Sequence, residues 1–197
     1  MPGKLIIISS PSGGGKDAVI KALLKIFPNS AKLITTTTRP ARREDQNGVT
    51  YYFTDKTNFE NKIKNNEMIE YNLYANNYYG TEKKELEDKL KKFDLVFSNI
   101  DVHGRANFSQ AGIKNISIFL MPGSLTDLQK RILGRGGVNE AELQSRLETA
   151  KQEIARAKEY DYQVVNENGK LIETIKNVAK IIESNIQTVD ILTNSVK

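Results

Sequence analysis

"KLIIISSPSGGGKDAVIKALLKIF", residues 4–27, is the stretch from which the fold is read. Residues 4–9 are a nearly unbroken apolar run, suited in length and character to a strand buried on both faces. Gly13, Gly14 and Gly15 then let the backbone turn tightly and approach a ligand closely. From Lys16 onward, Ala18, Ala22, Leu23 and Ile26 recur at helical spacing until Pro28 stops them. Strand, glycine loop and helix, in that order, gather main-chain N–H groups and a helix N-terminus around a phosphate. Against the pattern G-x-x-x-x-G-K-[ST], Ser10 replaces the first glycine and Asp17 replaces the hydroxyl residue. Ser12, Gly13, Gly14, Gly15, Lys16, Asp17 and Ala18 are the candidate triphosphate-binding segment, with Lys16 as the point charge for the β- and γ-phosphates.

Working outward, further parallel-type strands are expected at residues 33–37, 94–100, 115–121 and 162–166. Helical spacing is read near 82–92, 102–110, 124–134, 139–158 and 170–186. Strands alternating with helices predict an α/β fold with a parallel sheet. Two stretches break the rhythm. Residues 36–81, rich in Tyr, Asn and Thr, hold the short strand-like pieces "VTYYFT" and "EMIEYNLY" and read as a small mixed α/β excursion. Residues 122–150 open on "PGS", contain "GRGG" and carry several arginines on helical segments, as a mobile helical flap would. The core is then 1–35, 82–121 and 151–187, and 188–197 reads as a frayed tail.

The 197 residues suit one sizeable domain more than two independent cores. A hydrophobic share of 39% beside 27% charged residues is that of a folded globule, not a disordered chain. No cysteine leaves no disulfide or thiolate chemistry, and a single histidine leaves no His-rich metal site. The net charge of +5 suits phosphorylated ligands, nucleic acid or a membrane surface without choosing among them. No apolar stretch reaches membrane-spanning length, and the first is too short for a signal-sequence core, so a cytoplasmic location is expected.

The excursion supplies acceptor chemistry. Arg39 and Arg42 lie three apart in "TTTTRPARREDQNGVTYYF", with Tyr51 nine beyond, so two rigid guanidinium forks and a phenol can clamp one monophosphate. "MIEYNLYANNYYGT" adds Glu70, Tyr79, Gly80 and Thr81. A carboxylate can accept from the N1–H and amine of guanine, and a hydroxyl can donate to its O6.

Taken in order, "SSPSGGGK", the Arg39–Arg42–Tyr51 spacing, "IEY…NYYGT", "IDVHG", "DLQKRILGRGG" and "SRLETA" resemble the guanylate kinase family across residues 5 to about 186. The resemblance implies a P-loop NTPase-type parallel sheet flanked by helices, a GMP-binding subdomain at 36–81 and a lid at 122–150. It implies transfer of the γ-phosphoryl of ATP to GMP, with Mg2+ accompanying ATP and neither nucleic acid nor membrane as a partner. Arg39, Arg42 and Tyr51 would hold the GMP phosphate, helped by Thr35 and Tyr79, while Glu70, Thr81 and Asp101 would read the base. Arg131, Arg135 and Arg146 would close over the transferring group beside Lys16. Asn99 stands where the family often has a carboxylate. His103 reads as a polar residue at a helix start. No protein ligand is assigned to the metal: Asp17 is explained by the helix dipole, and phosphate oxygens and water are expected to hold the ion. Two alternatives stay open at this point. A ribose 1,5-bisphosphate phosphokinase also carries Asp after the loop lysine, and a silent guanylate kinase-like module would bind proteins instead of nucleotides.

Overall fold

The computed structural model describes residues 3–74, 76–134 and 137–194, with side chains as far as Ile186. The chain runs β1 (Lys4–Ser9), α1 (Lys16–Ile26), β2 (Ser30–Lys32), β3 (Thr36–Thr37), β4 (Tyr52–Phe53), α2 (Lys56–Lys64), β5 (Met68–Tyr74), β6 (Asn77–Glu82), α3 (Lys83–Lys92), β7 (Leu95–Ser98), α4 (Val102–Gln110), β8 (Ile116–Pro122), α5 (Leu125–Leu133), α6 (Glu140–Ala155), β9 (Tyr162–Asn166) and α7 (Leu171–Asn194). Five strands form a parallel sheet in the order β2-β7-β1-β8-β9, and four form a second, mixed sheet in the order β4-β3-β6-β5. The α/β class with a parallel sheet is therefore as the periodicity predicts, and the helices flanking it are as the resemblance implies.

Two compact units divide the chain: Met1–Ile7 with Asn29–Ile116, and Ile8–Pro28 with Ser117–Lys197. In the first, β7 pairs in parallel with both β1 and β2. Its core gathers Leu5, Ile7, Leu33, Leu86, Val96 and Phe108, closed over by Ile69, Leu90, Phe93, Ile100 and Ile113. Burying six such side chains, at about 1.5–3 kcal/mol each, is what offsets the ordering of the loops they carry. In the second unit, β8 pairs in parallel with β9, and α1 lies against α7. There α5 and α6 pack on each other through Leu128, Ile132, Leu143 and Ala150, with Val138 and Leu147 at the margin. The α5–α6 segment thus has an apolar seam of its own.

The strand expected at 33–37 is corrected. The main-sheet strand is Ser30–Lys32, paired with β7, while Thr36–Thr37 belongs to the second sheet and pairs with β4 and β6. Between them Leu33 donates to the Phe97 carbonyl and the Ile34 N–H donates to the Glu85 carboxylate, so the chain leaves one sheet for the other. The excursion also contains α2, which its polar composition hid. Asp55 caps it by accepting from the Asn58 N–H, and Phe59 is the one residue of the helix that is fully buried.

Candidate functional site

The glycine loop is built as its sequence implies. Gly13 and Gly15 lie at φ +84° and +92°, the left-handed region that glycine enters without steric cost. A Cβ on Gly14 would sit 2.5 Å from the Cβ of Ser10, so a serine is accommodated at the loop's edge only because Gly14 has no side chain. The Ser10 hydroxyl donates to the Pro11 carbonyl at 3.0 Å, and the Gly14 N–H closes back on the same carbonyl at 2.8 Å. The N–H groups of Gly13, Gly15 and Lys16 donate to no acceptor among the described residues, and neither does the Lys16 ammonium. Helix α1 begins at Lys16 with Gly15 as its cap and no side-chain capping bond. Uncommitted donors, a helix N-terminus and a lysine together form a cradle for phosphate oxygens. Asp17 and Ala18 are exposed in the first turn.

Arg131 and Arg146 have partners within the same unit. One terminal nitrogen of Arg131 donates to the Asn166 carbonyl at 2.9 Å. Its stem lies against Gly13, whose added Cβ would meet Ile132, Leu128 and Arg131. Arg146 is held by Glu142, one turn earlier on α6, at 2.6 Å. Arg135 lies outside the described residues.

The acceptor residues gather in the other unit. Arg39 stacks over the rings of Tyr51 and Phe53, 5.4 and 5.8 Å from their centroids, and Tyr51 meets Tyr79 edge-on at 5.9 Å. Its guanidinium donates to the Asp45 carboxylate at 2.8 Å, and the Arg42 N–H donates to the same oxygen at 2.8 Å. Those two bonds, the backbone one first, hold the Asp45 carboxyl below the usual carboxylate range. Asp45 therefore orders the loop carrying both arginines. Sequence reading passed over it, although an acid set among three arginines is a visible signal. The Arg42 guanidinium is exposed and makes no hydrogen bond or ion pair among the described residues. Thr35 enters through its main chain, its carbonyl accepting from the Tyr52 N–H at 2.9 Å.

Glu70 sits at an irregularity in the β5–β6 hairpin, where the register shifts between Met68 and Glu70 and sets Glu70 opposite Thr81. The Thr81 hydroxyl donates to the Glu70 carboxylate at 2.7 Å, so in this structure the threonine orients the acid. Gly80 makes that geometry possible: a Cβ there would lie 2.6 Å from the Glu70 carbonyl oxygen. Burial pushes the Glu70 carboxyl up to about 7, helped by the charge of Asp101 and opposed by the Thr81 hydrogen bond. Asp101 caps α4, one oxygen accepting from the N–H groups of His103 and Gly104 at 3.0 and 2.8 Å. That cap places the acid beside Glu70 and His103 at the helix start.

Comparison with known proteins identifies the family. The guanylate kinase family model matches residues 2–185. A guanylate kinase of Rickettsia bellii is 39% identical over 181 residues, covering 91% of this chain and 93% of its own. One of Listeria innocua is 41% identical over 180 residues, covering 90% and 88%. The crystal structure of guanylate kinase from Anaplasma phagocytophilum superposes with a TM-score of 0.71 at 31% identity, covering 93% of this chain and 86% of that one. A family match over nearly the whole length, beside relatives 39% and 41% identical over about nine-tenths of the chain, makes this chain a member of the guanylate kinase family.

Proposed function

We propose that this chain transfers the γ-phosphoryl group of ATP to GMP, giving ADP and GDP, through the residues described above. The observation that carries the reading is Glu70: a part-buried carboxyl on a bulged strand, oriented by Thr81, has a use if it accepts from the N1–H and amine of guanine. A sugar phosphate would not need it, and neither would a protein-binding module.

The acceptor phosphate is already a nucleophile, so no strong base is required. Catalysis consists of positioning and of neutralising the charge that builds on the β–γ bridge oxygen as the γ-phosphoryl group leaves it for an oxygen of the GMP phosphate. The loop N–H groups and Lys16 hold the donor phosphates. Arg39, Arg42 and Tyr51 hold the acceptor phosphate, with Tyr79 edge-on to Tyr51. Arg131 and Arg146 would leave their present partners for the transferring group, with Arg135 completing the set. Both are held by single residues, and such contacts are weak enough to exchange for a phosphate.

Mg2+ accompanies ATP in this reading. No cluster of three or more acidic, His or Cys side chains able to hold a metal occurs among the described residues. Phosphate oxygens and water would coordinate the ion, with Asp17 the hard oxygen nearest in sequence to the loop lysine. When bound, the ion supplies positive charge to the β- and γ-phosphate oxygens. No helix among the described residues is long and apolar enough to cross a membrane, and the proposed location is the cytoplasm.

A coupled assay of ADP release with GMP, AMP, UMP and ribose 1,5-bisphosphate as acceptors tests the reading. GMP is expected to be preferred over AMP by orders of magnitude, because adenine N1 would face Glu70 acceptor to acceptor. Comparable efficiency on AMP and GMP would overturn it.

A further inference from the structure

Asn166, the last residue of β9, is 3% exposed and touches the loop, a helix and a lid arginine at once. Its amide nitrogen donates to the Gly14 carbonyl at 2.8 Å. A carbonyl accepts only, so the nitrogen must face it, which turns the amide oxygen toward Thr174. The Thr174 hydroxyl lies 3.0 Å from that oxygen, nearer than to the carbonyls of Lys170 and Val165 at 3.2 and 3.4 Å. The Asn166 main-chain carbonyl accepts from Arg131. Its amide nitrogen also lies 2.8 Å from where a Gly15 Cβ would stand, so the side chain fills the underside of the loop.

The peptide joining Gly14 to Gly15 is planar, with its C=O and N–H on opposite sides. Pinning the carbonyl to Asn166 therefore aims the Gly15 N–H the other way, and that N–H donates to nothing among the described residues. We propose that Asn166 is a positioning residue of the phosphotransfer site: through the Gly14 carbonyl it presets the loop for the donor polyphosphate, and through its own carbonyl it berths Arg131. Thr174 is the hydroxyl that keeps the amide the right way round. The inference rests on the assignment of the loop to ATP.

The test uses the full chain carrying Asn166→Asp, Asn166→Ala or Thr174→Val. Dissociation constants for ATP, inorganic tripolyphosphate and GMP are measured by calorimetry between about pH 8.5 and pH 5.5, a window in which a buried carboxyl can titrate. At the alkaline end Asn166→Asp sets a carboxylate against the Gly14 carbonyl, and both ATP and tripolyphosphate should bind about tenfold more weakly or worse, as a lost buried hydrogen bond implies. GMP should stay within about twofold, showing an intact fold. Acid should restore tripolyphosphate binding in Asn166→Asp, because a protonated carboxyl regains the donor, and should not restore it in Asn166→Ala. Thr174→Val should move the same ligands in the same direction by a smaller factor, and it stands as the test should Asn166→Asp fail to fold. Parallel loss of GMP in Thr174→Val, loss of ATP without tripolyphosphate, or wild-type affinity in Asn166→Asp would each overturn the proposal. Wild-type protein that binds GMP but neither ATP nor tripolyphosphate would overturn the loop assignment beneath it.

Discussion

The Glu70 carboxyl burdens the free protein with a charge that the proposed GMP complex would use. Its ordinary value of 4.5 rises to about 7 because burial penalises the ionised form. Below about pH 4.5 folded and unfolded chains both hold the proton, and the group has no effect on stability. From there to about pH 7 the unfolded chain releases the proton first, so stability falls as pH rises, by on the order of 3 kcal/mol in all. Glu70→Gln keeps the Thr81 hydrogen bond and never ionises. It should therefore raise the melting temperature of the ligand-free protein at about pH 8, leave it unchanged at about pH 4, and abolish selective GMP binding. For the wild type, GMP needs the carboxylate, so its affinity should fall about tenfold per pH unit below about pH 7 while that for ATP does not follow. A flat GMP profile from about pH 5 to 8 would remove Glu70 from base recognition. Asp17 belongs to the same scale. It is exposed in the first turn of α1, where a carboxylate is explained by the helix dipole. Asp17→Ser should keep turnover within roughly tenfold, about 1.4 kcal/mol of barrier, at saturating magnesium. A larger collapse would make Asp17 a metal ligand.

The β5–β6 hairpin is the element on which the proposed base recognition hangs, and it depends on one missing side chain. A methyl group on Gly80 would lie 2.6 Å from the Glu70 carbonyl oxygen, 2.6 Å from the Met68 side chain and 2.9 Å from the Tyr71 Cβ. Backbone cannot yield as a side-chain tip can, so Gly80→Ala should open the hairpin at its irregular step and shift Glu70. Overpacking of this kind costs about 1–3 kcal/mol, and the KM for GMP should rise well beyond that for ATP. Equal changes in both constants would locate the damage elsewhere. Elements of this small sheet were also the least legible in the sequence. In the main sheet, apolar runs such as "LIII" and "IFL" mark β1 and β8 because both faces are covered. In the second sheet β3 and β4 have two residues each, too few for any alternation to show. Four threonines in a row, Thr35 to Thr38, conceal where the chain passes from one sheet to the other. Helix α2 was missed because only Phe59 is buried along it, although Asp55 with Phe59 and Ile63 at helical spacing was a readable start. The site was more legible than its supports. Arg39 meets Tyr51, Tyr51 meets Tyr79, and Thr81 meets Glu70, whereas Asp45, which orders the arginine loop, acts through bonds that show in the sequence only as an acid set among arginines.

At the scale of the whole molecule, the residues assigned to each substrate fall within one compact unit. Arg39, Arg42, Tyr51, Glu70, Tyr79, Thr81 and Asp101 lie in the unit of Met1–Ile7 with Asn29–Ile116. The glycine loop, Lys16, Arg131 and Arg146 lie in that of Ile8–Pro28 with Ser117–Lys197. Each unit has its own buried cluster, so a substitution at one half-site need not disturb the packing beneath the other. Distant sites without shared partners change stability additively. A ligand that binds only the folded state stabilises it by RT ln(1 + [L]/Kd), about 2.7 kcal/mol at a hundredfold excess over Kd. In a chain of this size that raises the melting temperature by several degrees, at about 2–4 °C per kcal/mol. GMP alone and ATP alone should therefore each raise the melting temperature of the wild type. Arg39→Met should erase the GMP shift and keep the ATP shift. Lys16→Met should do the reverse, and should also lose turnover with both substrates saturating, because its charge is needed on the moving phosphoryl group. Arg39→Met that loses both shifts would show that Arg39 holds the fold as well as the phosphate. A Lys16→Met variant that keeps its ATP shift but not its turnover would confine the lysine to the transition state, where an interaction accelerates the reaction without tightening the ground-state complex.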